Sequence, residues 1–570
     1  MNKLYISGNY IIAEYGVNTY EYPISHSAYT VEDGAYKIKE VIDDGTLAIA
    51  IADIPNWFDE AGTTAFSEAT LKTFLRTNTS YQSSAGATEV TIAGQVKGAF
   101  GEQVTTHKTP IIQISNRYRR DPSVISDIEV FEATGGTADN SENLFRCQNG
   151  VSVGGYSVIR SNNTLNYKAG QGVEAQFTAS FTTGIALSLQ FGGMFSISET
   201  LAFGYDGVDF SCLHSYGGVA EIQLLTVTVT GAGTTTVTLD SDAVGITTTA
   251  GSVQLVAEEL RAGLFADATL TSKWRFEQID DKVYCIAKTV GDKTGTMSVT
   301  GASTVDVSEQ TTGVLKTDNH TAQASWNVTT TPFAGFDPTK LNIYKVQFGY
   351  LGIANINYSI YNPEVGEWVL VHRVKWANAN NVTQIGMPDL KIGWTSASLG
   401  ASGTNLTVTG ASGSLMLEGD EVLTNDVHAV EATQGSIGTT SIPVLELRNR
   451  IVFGNMFNLG KIKPLRLSID NDHTKGAIVE MFISPTLTGT TNYQFVDENT
   501  SIAVYDASAT GYSGGKFIDG FAIGAGDGKS IDLDKVLPDL LPDETLTVVA
   551  RTVSGTGAII TAVLTWQEDK

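Results

Sequence analysis

Cysteine is scarce in this chain, which has three among its 570 residues: Cys147, Cys212 and Cys285. Their number is odd, and no two of them form a Cys-x-x-Cys pair. This pattern argues against a framework of disulfide bonds. We therefore expect synthesis in a reducing compartment, where thiols remain free.

Basic residues are also few, because 36 Lys and Arg stand against 61 Asp and Glu, for a net charge of -25. A protein that binds nucleic acid needs a basic surface to exchange counterions with the phosphates. The one basic cluster, residues 117–120, is followed directly by Asp121 and is interpreted as a solvated turn. The charge balance therefore argues against a nucleic-acid partner.

Long apolar runs are missing as well. The most apolar run, residues 46–57, is interrupted by Asp53 and Pro55 and is too short to span a bilayer. The first 16 residues contain neither the uninterrupted apolar segment nor the cleavage site of a signal peptide. The sequence therefore predicts no signal peptide and no membrane insertion.

No motif of catalysis or cofactor binding is readable in the sequence. A Gly-x-Ser-x-Gly elbow, a Walker loop and a Rossmann fingerprint are all missing. A glycosidase needs two carboxylates that flank the sugar, and Glu364 and Glu367 beside Trp368 are the best candidates. We interpret these two residues as part of a hairpin turn. The sequence therefore predicts no enzyme, no catalytic residue and no cofactor.

No metal site is predicted either. Asp470 and Asp472 open a stretch similar to a calcium loop, but Gly476 stands one position late and no glutamate follows at the twelfth position. We interpret this stretch as a polar hairpin tip, and Asp206 and Asp209 as flanks of an Asp-Gly turn. A zinc site would need histidines at ligand spacing. The seven histidines are scattered: His26, His107, His214, His320, His372, His428 and His473.

What the sequence does contain is short alternating apolar and Thr/Ser runs, separated by Gly and Asn turns. Period-two alternation is typical of strands, and this length implies about three to five domains. The predicted fold class is mainly β, with multi-domain antiparallel β-sandwiches, a small α+β N-terminal unit and a ββαββ insertion. The predicted domains are a docking unit (1–80), a linker (81–108), a central β domain in two parts (109–221 and 314–420), the insertion (222–313) and a C-terminal β-sandwich (421–570).

The N-terminal unit is expected to contain a helix at 67–80, capped by Ser67. Its apolar residues recur at helical spacing: Leu71, Phe74 and Leu75. The following Ser/Gly/Ala-rich stretch is typical of a flexible tether, so we expect this unit to dock onto a partner. The candidates for that attachment surface, if they are not core, are Tyr5, Ile6, Trp57 and Phe58.

The insertion is expected to fold by itself, so that its deletion leaves the rest of the chain folded. We predict a hairpin across residues 231–233, a second hairpin at Asp280-Asp281 and a helix at 252–263 between them. Ser252 is expected to cap that helix and Gly263 to end it. The order ββαββ places a helix on an antiparallel sheet.

In the central domain, residues 367–376 alternate with period two. One face carries Val369, Val371, Arg373 and Lys375. The other face carries Trp368, Leu370, His372, Val374 and Trp376. The two tryptophans mark the second face as the buried one.

Several phrases of the sequence carry a family resemblance: "SNNTLNYKAGQGVEAQFTASF" (161–181), "GYDGVDFSCLHSYGGVAEIQLL" (204–225), "NIYKVQFGYLGIANINYSIYNPEVGEWVLVHRVKWAN" (342–378) and "LTWQED" (564–569). The chain resembles large virion structural proteins of tailed bacteriophages, of the fibre, appendage or tail-decoration kind. The likeness covers residues 110–570, and the insertion is similar to small ββαββ units of phage tail and sheath proteins.

The resemblance implies a non-enzymatic tail or head component that is made in the host cytoplasm and resides in the virion. Its expected partners are copies of itself, other virion proteins and, as a further candidate, a host surface glycan. Two alternatives remain open. One is a carbohydrate-binding adhesin or receptor-binding protein, in which Trp368, Trp376 or Trp394 stacks on sugar rings. The other is a polysaccharide depolymerase, against which the missing β-helix periodicity counts.

Overall fold

The computed structural model describes residues 2–81, except 8–9, 16–17, 24–26, 33–34, 41–45, 62 and 79, and residues 108–570, except 166, 168–169, 294–296, 350, 401–402, 420–425 and 490. Nearly all of the predicted linker lies outside these residues. The chain forms two compact units, 1–97 and 98–570. The prediction of a mainly β fold is confirmed, with 56% of residues in strands and 8% in helices. Within the described ranges, no helix is long and apolar enough to cross a membrane.

Among its described residues, the N-terminal unit contains two four-stranded sheets, in the orders β3-β2-β1-β7 and β6-β5-β4-β8, one α-helix and a short 3-10 helix (Ile51–Asn56). Its elements are β1 (Asn2–Ser7), β2 (Tyr10–Tyr15), β3 (Asn18–Pro23), β4 (Ser27–Glu32), β5 (Ala35–Glu40), β6 (Thr46–Ala50), β7 (Trp57–Phe58), α1 (Glu68–Asn78) and β8 (Ser80–Tyr81). The Ser67 hydroxyl accepts the N–H of Thr70 at 3.2 Å, which confirms the predicted cap. Leu71 and Leu75 are buried on one face of α1, as their spacing predicts.

Trp57 is a core residue of this unit and not a free attachment residue, because it is 1% exposed among the buried side chains of Leu4, Ile11 and Leu71. Its ring also stacks on Tyr15, with centroids 5.8 Å apart. Trp57 is therefore one of the candidates that belong to the core and not to an attachment surface. The other three candidates, Tyr5, Ile6 and Phe58, are partly exposed.

The central module begins with strands β9 (Lys108–Ser115), β10 (Ile128–Ala133), β11 (Thr137–Ser141), β12 (Leu144–Gln148), β13 (Tyr156–Ser161), β14 (Gly172–Phe181), β15 (Ser188–Phe195), β16 (Thr200–Asp206) and β17 (Asp209–Tyr216). Strands β16 and β17 form a hairpin with Gly207 at φ +62° in the turn. This confirms the predicted Asp-Gly turn, because a positive φ favours glycine.

The insertion contains β18 (Ala220–Val229), β19 (Gly233–Leu239), β20 (Asp242–Thr248), α2 (Val253–Ala266), α3 (Ala268–Lys273), β21 (Trp274–Ile279), β22 (Lys282–Val290), β23 (Ser298–Gly301) and β24 (Thr304–Thr311). These strands form two sheets, β21-β22-β18-β24 and β20-β19-β23, so the predicted ββαββ order is extended by further strands. The predicted hairpin across 231–233 is wrong, because β18 and β19 lie in different sheets. The hairpin joins β19 to β20 instead and turns at Asp240-Ser241 with positive φ. The predicted Asp280-Asp281 turn between β21 and β22 is confirmed.

Helix α2 is capped by the Ser252 hydroxyl, which accepts the N–H of Leu255 at 3.2 Å, as predicted. Gly263 does not end the helix, which continues to Ala266. A Cβ at Gly263 would lie 2.6 Å from Cγ1 of Ile246. The glycine therefore permits close packing of the helix on β20, a role that its position in the sequence does not distinguish from helix termination.

The central module continues with β25 (Thr317–Asp318), β26 (Thr321–Ala322), β27 (Asn342–Gly349), β28 (Ile356–Asn362), β29 (Glu367–Val374), β30 (Lys391–Ser398), β31 (Thr407–Gly410) and β32 (Ser412–Glu418). One sheet has the order β10-β13-β30-β15-β16-β17-β25, with β26 beside β17. The other has the order β11-β12-β31-β14-β27-β28-β29, with β32 between β14 and β9. Their shared core confirms a β-sandwich assembled from both parts of the central sequence.

The prediction of which face of strand 367–376 is buried is wrong for the first half of the strand. The pairing of β28 with β29 shifts between Tyr358 and Ser359, so Val371 is an extra residue in β29. This bulge reverses the alternation, since one added residue turns the following side chains to the other face. Val371, Val374 and Trp376 are therefore all in the core, whereas Trp368 is only partly buried.

The C-terminal module is a second sandwich, with sheets β33-β46-β37-β44 and β40-β41-β34-β45-β38-β43 around one apolar core. Its strands are β33 (Asp426–Ile437), β34 (Ile442–Asn449), β35 (Val452–Phe453), β36 (Met456–Phe457), β37 (Lys461–Asp472), β38 (Ala477–Ile483), β39 (Thr486–Thr488), β40 (Gln494–Phe495), β41 (Ala503–Asp506), β42 (Gly511–Ser513), β43 (Lys516–Ile523), β44 (Gly528–Asp532), β45 (Thr545–Thr552) and β46 (Ala558–Asp569). The predicted hairpin tip at 470–476 is wrong, because Asp470 and Asp472 lie within β37, and because β37 and β38 belong to different sheets. The residues between Asp472 and Ala477 connect the two sheets of the sandwich.

The insertion packs against the C-terminal module through an apolar contact. Its residues Ile222, Leu224, Ile279, Tyr284 and Ile286 form one buried cluster with Ile451, Val452 and Val504. Deleting residues 222–313 would expose the C-terminal side of this cluster to water. The structure therefore argues against the expectation that the insertion can be removed without consequence.

A buried ion pair lies at the same contact. Glu277 of the insertion accepts the N–H groups of Ile451 and Val452 at 2.9 and 3.2 Å. The Arg448 guanidinium lies 3.4 Å from the Glu277 carboxylate and 3.8 Å from the centre of the Tyr493 ring. The carboxylate is 1% exposed, so burial raises its pKa. Each of the two buried charges is stabilised by the other charge and by these hydrogen bonds.

Candidate functional site

A cleft of about 340 Å³ lies where the central module, the insertion and the C-terminal module meet. We call it the junction cleft. Its volume is at the lower end of the range of small-molecule pockets, about 300–1,000 Å³. The residues that carry its chemistry are Glu129, Arg160, Glu199, Asp389 and Lys391 from the central module, Arg275 and Lys288 from the insertion, and Met456, Phe457 and Glu544 from the C-terminal module.

Glu199 is the most unusual group in the junction cleft. A tight turn after β15 buries it to 1% exposure. Its Oε1 accepts the N–H groups of Gly386 at 2.9 Å and Gly217 at 3.3 Å, whereas its buried Oε2 has no partner among the described residues. Burial raises the pKa of this carboxyl to about 7, despite the backbone N–H groups of Gly386, Gly217 and Met387 and the nearby charge of Lys316. Near neutral pH, Glu199 is therefore able to accept or donate a hydrogen bond.

The cations of the cleft fall into two sets. Arg160 and Lys391 share the carboxylate of Glu129, and Lys391 lies 2.8 Å from it. Arg275 and Lys288 of the insertion have no carboxylate within 4.0 Å among the described residues. The Arg275 guanidinium lies 5.5 Å from the centre of the Phe457 ring. Burial and the charge of Arg275 lower the pKa of Lys288.

The remaining polar groups of the cleft are held by the backbone. Glu544 accepts the N–H of Leu541 at 2.9 Å, and Asp389 accepts the N–H of Tyr167 at 2.8 Å. The Ser196 hydroxyl accepts the N–H groups of Ser198 and Glu199, both at 3.1 Å, and so shapes the turn. These side chains suit the binding of a polar ligand.

The residues weighed in the sequence lie outside this cleft. Trp376 and Trp394 are buried, and each donates its indole N–H to a backbone carbonyl. Trp368 is partly buried, with the Lys345 ammonium 4.7 Å from its ring centre. Glu364 and Glu367 are exposed at the turn between β28 and β29, as predicted.

One cluster of potential metal ligands comes from distant parts of the C-terminal module. Asp426, His428 and Glu568 place one ligand atom each within 4.8 Å of one another. Histidine spacing did not reveal this group, because the two carboxylates come from paired strands β33 and β46. The Lys570 ammonium lies 2.7 Å from Asp426 and 3.1 Å from Glu568. A cation of the chain itself therefore already compensates part of the negative charge of the cluster.

Replacing Glu199 with glutamine is expected to stabilise the protein at pH 8 but not at pH 5. The raised pKa favours folding below the ordinary glutamate pKa, and this contribution is lost as the pH rises through about 7. The glutamine amide does not titrate, so the variant loses this dependence of stability on pH. We expect a gain of about 1–3 kcal/mol at pH 8 in urea unfolding. The exposed control Glu367→Gln should show no difference between the two pH values, and equal effects of E199Q at both would contradict the assignment.

Comparisons with known proteins find no matching family model and no matching curated protein. Among solved structures, the chain is similar to the Emp47p carbohydrate recognition domain, with 9% identity, 57% of this chain and 98% of that chain covered, and a TM-score of 0.21. A lectin from Bauhinia forficata in complex with GalNAc matches with 12% identity, 55% and 98% coverage, and a TM-score of 0.19. A structure of Sulfolobus Turreted Icosahedral Virus matches with 8% identity, 83% and 98% coverage, and a TM-score of 0.16.

Similarities at this level carry no argument about function. The β-sandwich assignment depends on the strand order and the two cores described above. Such a fold is compatible with a non-enzymatic binding or structural role.

Proposed function

We propose that the chain is a non-enzymatic structural protein of a tailed-phage virion, a tail or head appendage, fibre or decoration component. It assembles through symmetric contacts with copies of itself and with other virion proteins, and it resides in the virion after synthesis in the host cytoplasm. The sequence segments quoted above support this proposal through their resemblance to such proteins. Symmetric self-assembly is the commonest arrangement of soluble oligomers.

The observation that carries the structural role is the buried contact between the insertion and the C-terminal module. The Glu277–Arg448 pair and its apolar surroundings fasten two β modules of one chain to each other. A structural component of a particle needs modules that keep fixed positions relative to each other. The N-terminal unit has its own core and is compact by itself, which suits a separate docking element.

The carbohydrate-binding alternative now depends on the junction cleft and not on the tryptophans that the sequence offered. Trp376 and Trp394 are core residues and do not present a stacking surface. The junction cleft favours ligand binding as a second candidate function, because it has a buried carboxyl and two cations, Arg275 and Lys288, without a carboxylate partner among the described residues. The Lys288 ammonium donates a hydrogen bond to the carbonyl of Thr271.

Native mass spectrometry of the purified full chain, over a hundredfold range of concentration, tests the proposed assembly. We expect a closed symmetric oligomer, in which a trimer favours a fibre and a hexamer favours a tail ring or sheath. A monomer at every concentration would contradict assembly through self-contacts. A reducing-sugar assay on bacterial polysaccharides tests the proposal that the protein is not an enzyme. Sustained release of reducing ends would contradict it.

A further inference from the structure

We propose that the junction cleft binds one acidic sugar residue, with its carboxylate at Arg275 and Lys288 and a ring hydroxyl at Glu199. This inference does not depend on the virion assignment. It specifies a ligand class for a cavity to which the sequence gave no role.

The first step of the argument concerns the two cations of the insertion. Arg275 lies on β21 and Lys288 on the neighbouring strand β22, where the pairing places Arg275 beside Ile286. Within the described residues, neither has a carboxylate within salt-bridge distance, although the chain as a whole carries a net charge of -25. Two neighbouring cations without an anion repel each other, and a bound carboxylate would relieve this repulsion.

The second step concerns Glu199. Glu199 lines the cleft, and within the described part of the chain its buried Oε2 makes no hydrogen bond, although the Met387 N–H lies near the carboxyl. An unsatisfied buried polar atom is costly. A sugar hydroxyl both donates and accepts hydrogen bonds, so it satisfies this atom whether the carboxyl is protonated or ionised. A fully deprotonated anion offers only acceptors and would be repelled by the ionised form.

The third step concerns the apolar wall. Phe457 is partly buried and Met456 is 45% exposed, and both line the cleft, with the Phe457 ring close to Arg275. The C–H face of a sugar ring packs on such side chains while its hydroxyls reach polar groups. Charged, hydroxyl-binding and apolar groups therefore line one cavity, as a ligand that is anionic, hydroxylated and partly apolar requires.

Isothermal titration calorimetry of the full chain tests the proposal with four probes: glucuronic acid, N-acetylneuraminic acid, glucose and inorganic phosphate. We expect saturable binding of at least one acidic sugar. The affinity for glucose should be lower by a factor of about ten or more. Equal affinity for glucuronic acid and glucose would overturn the carboxylate subsite. Phosphate binding as tight as that of both acidic sugars, or no binding of either acidic sugar, would overturn the proposal as a whole.

Two variants locate the subsite. Lys288→Gln and Arg275→Gln are each expected to weaken binding of the acidic sugar about tenfold, because each removes a charge-assisted hydrogen bond. Lys516→Gln makes the same charge change at an exposed position on β43, outside the cleft, and should leave affinity unchanged. Thermal unfolding shows whether each variant is folded. Unchanged affinity in both folded cleft variants would contradict the assigned positions.

Discussion

Replacing Arg448 with methionine is expected to lower the free energy of unfolding by about 3–5 kcal/mol, measured by urea unfolding at pH 7. The substitution leaves the Glu277 carboxylate buried, with backbone N–H groups but without its countercharge. It also removes the hydrogen bond that Arg448 donates to the carbonyl of Gln278 at 3.0 Å. The uncompensated charge is the larger cost, because its desolvation is no longer offset.

A second substitution separates charge from packing. The double variant Glu277→Gln/Arg448→Met should recover part of the lost stability, since no buried charge remains. Arg146→Met is the matched control, because Arg146 pairs with Asp139 at 2.5 Å where both side chains are about one-third exposed. Such a pair contributes only about 0–1 kcal/mol. Equal losses for R448M and R146M would contradict a buried ion pair at the module contact.

The second large effect is expected at Trp394. Replacing it with alanine should lower the free energy of unfolding by about 3–5 kcal/mol, because a large buried side chain leaves a cavity. The indole packs against Phe145 with centroids 5.3 Å apart, and its N–H donates to the carbonyl of Thr178 at 2.9 Å. A Cβ at Gly410 would lie 2.2 Å from Trp394 Cε2, so the glycine makes room for the ring. Differential scanning calorimetry measures the loss.

Trp368 provides the matched comparison, because it is partly exposed on the same sandwich. Trp368→Ala should cost less than half as much as Trp394→Ala. If W394A melts like the unchanged protein, Trp394 is not a core residue, and the adhesin interpretation of the tryptophans would regain support.

Local features of the fold were predictable from the sequence because they depend on neighbouring residues. Ser67 and Ser252 cap helices through their own hydroxyls, and the Asp-Gly turn after Asp206 follows from the freedom of glycine. Sheet membership was not predictable in the same way. The segment at 231–233 contains turn residues, yet the chain passes there from one sheet to another, because β18 and β19 pair with strands far along the chain.

Two further features depend on contacts between distant residues. The bulge at Val371 arises in the pairing of β29 with β28 and leaves no mark in the period-two pattern of its own strand. The junction cleft combines residues from Glu129 to Glu544, so no spacing motif contains it. The absence of motifs in the sequence was therefore no guide to this cavity, which polar side chains of three modules form together.

The contact between Glu277 and Arg448 also has a consequence for the growing chain. On a ribosome, the insertion is made well before Arg448, and the intervening stretch takes on the order of ten to thirty seconds to synthesise. During that interval Ile222, Leu224 and Ile279 present an uncovered apolar face. A nascent chain that pauses in this stretch would therefore expose a surface that chaperones recognise, and the finished C-terminal module ends that exposure.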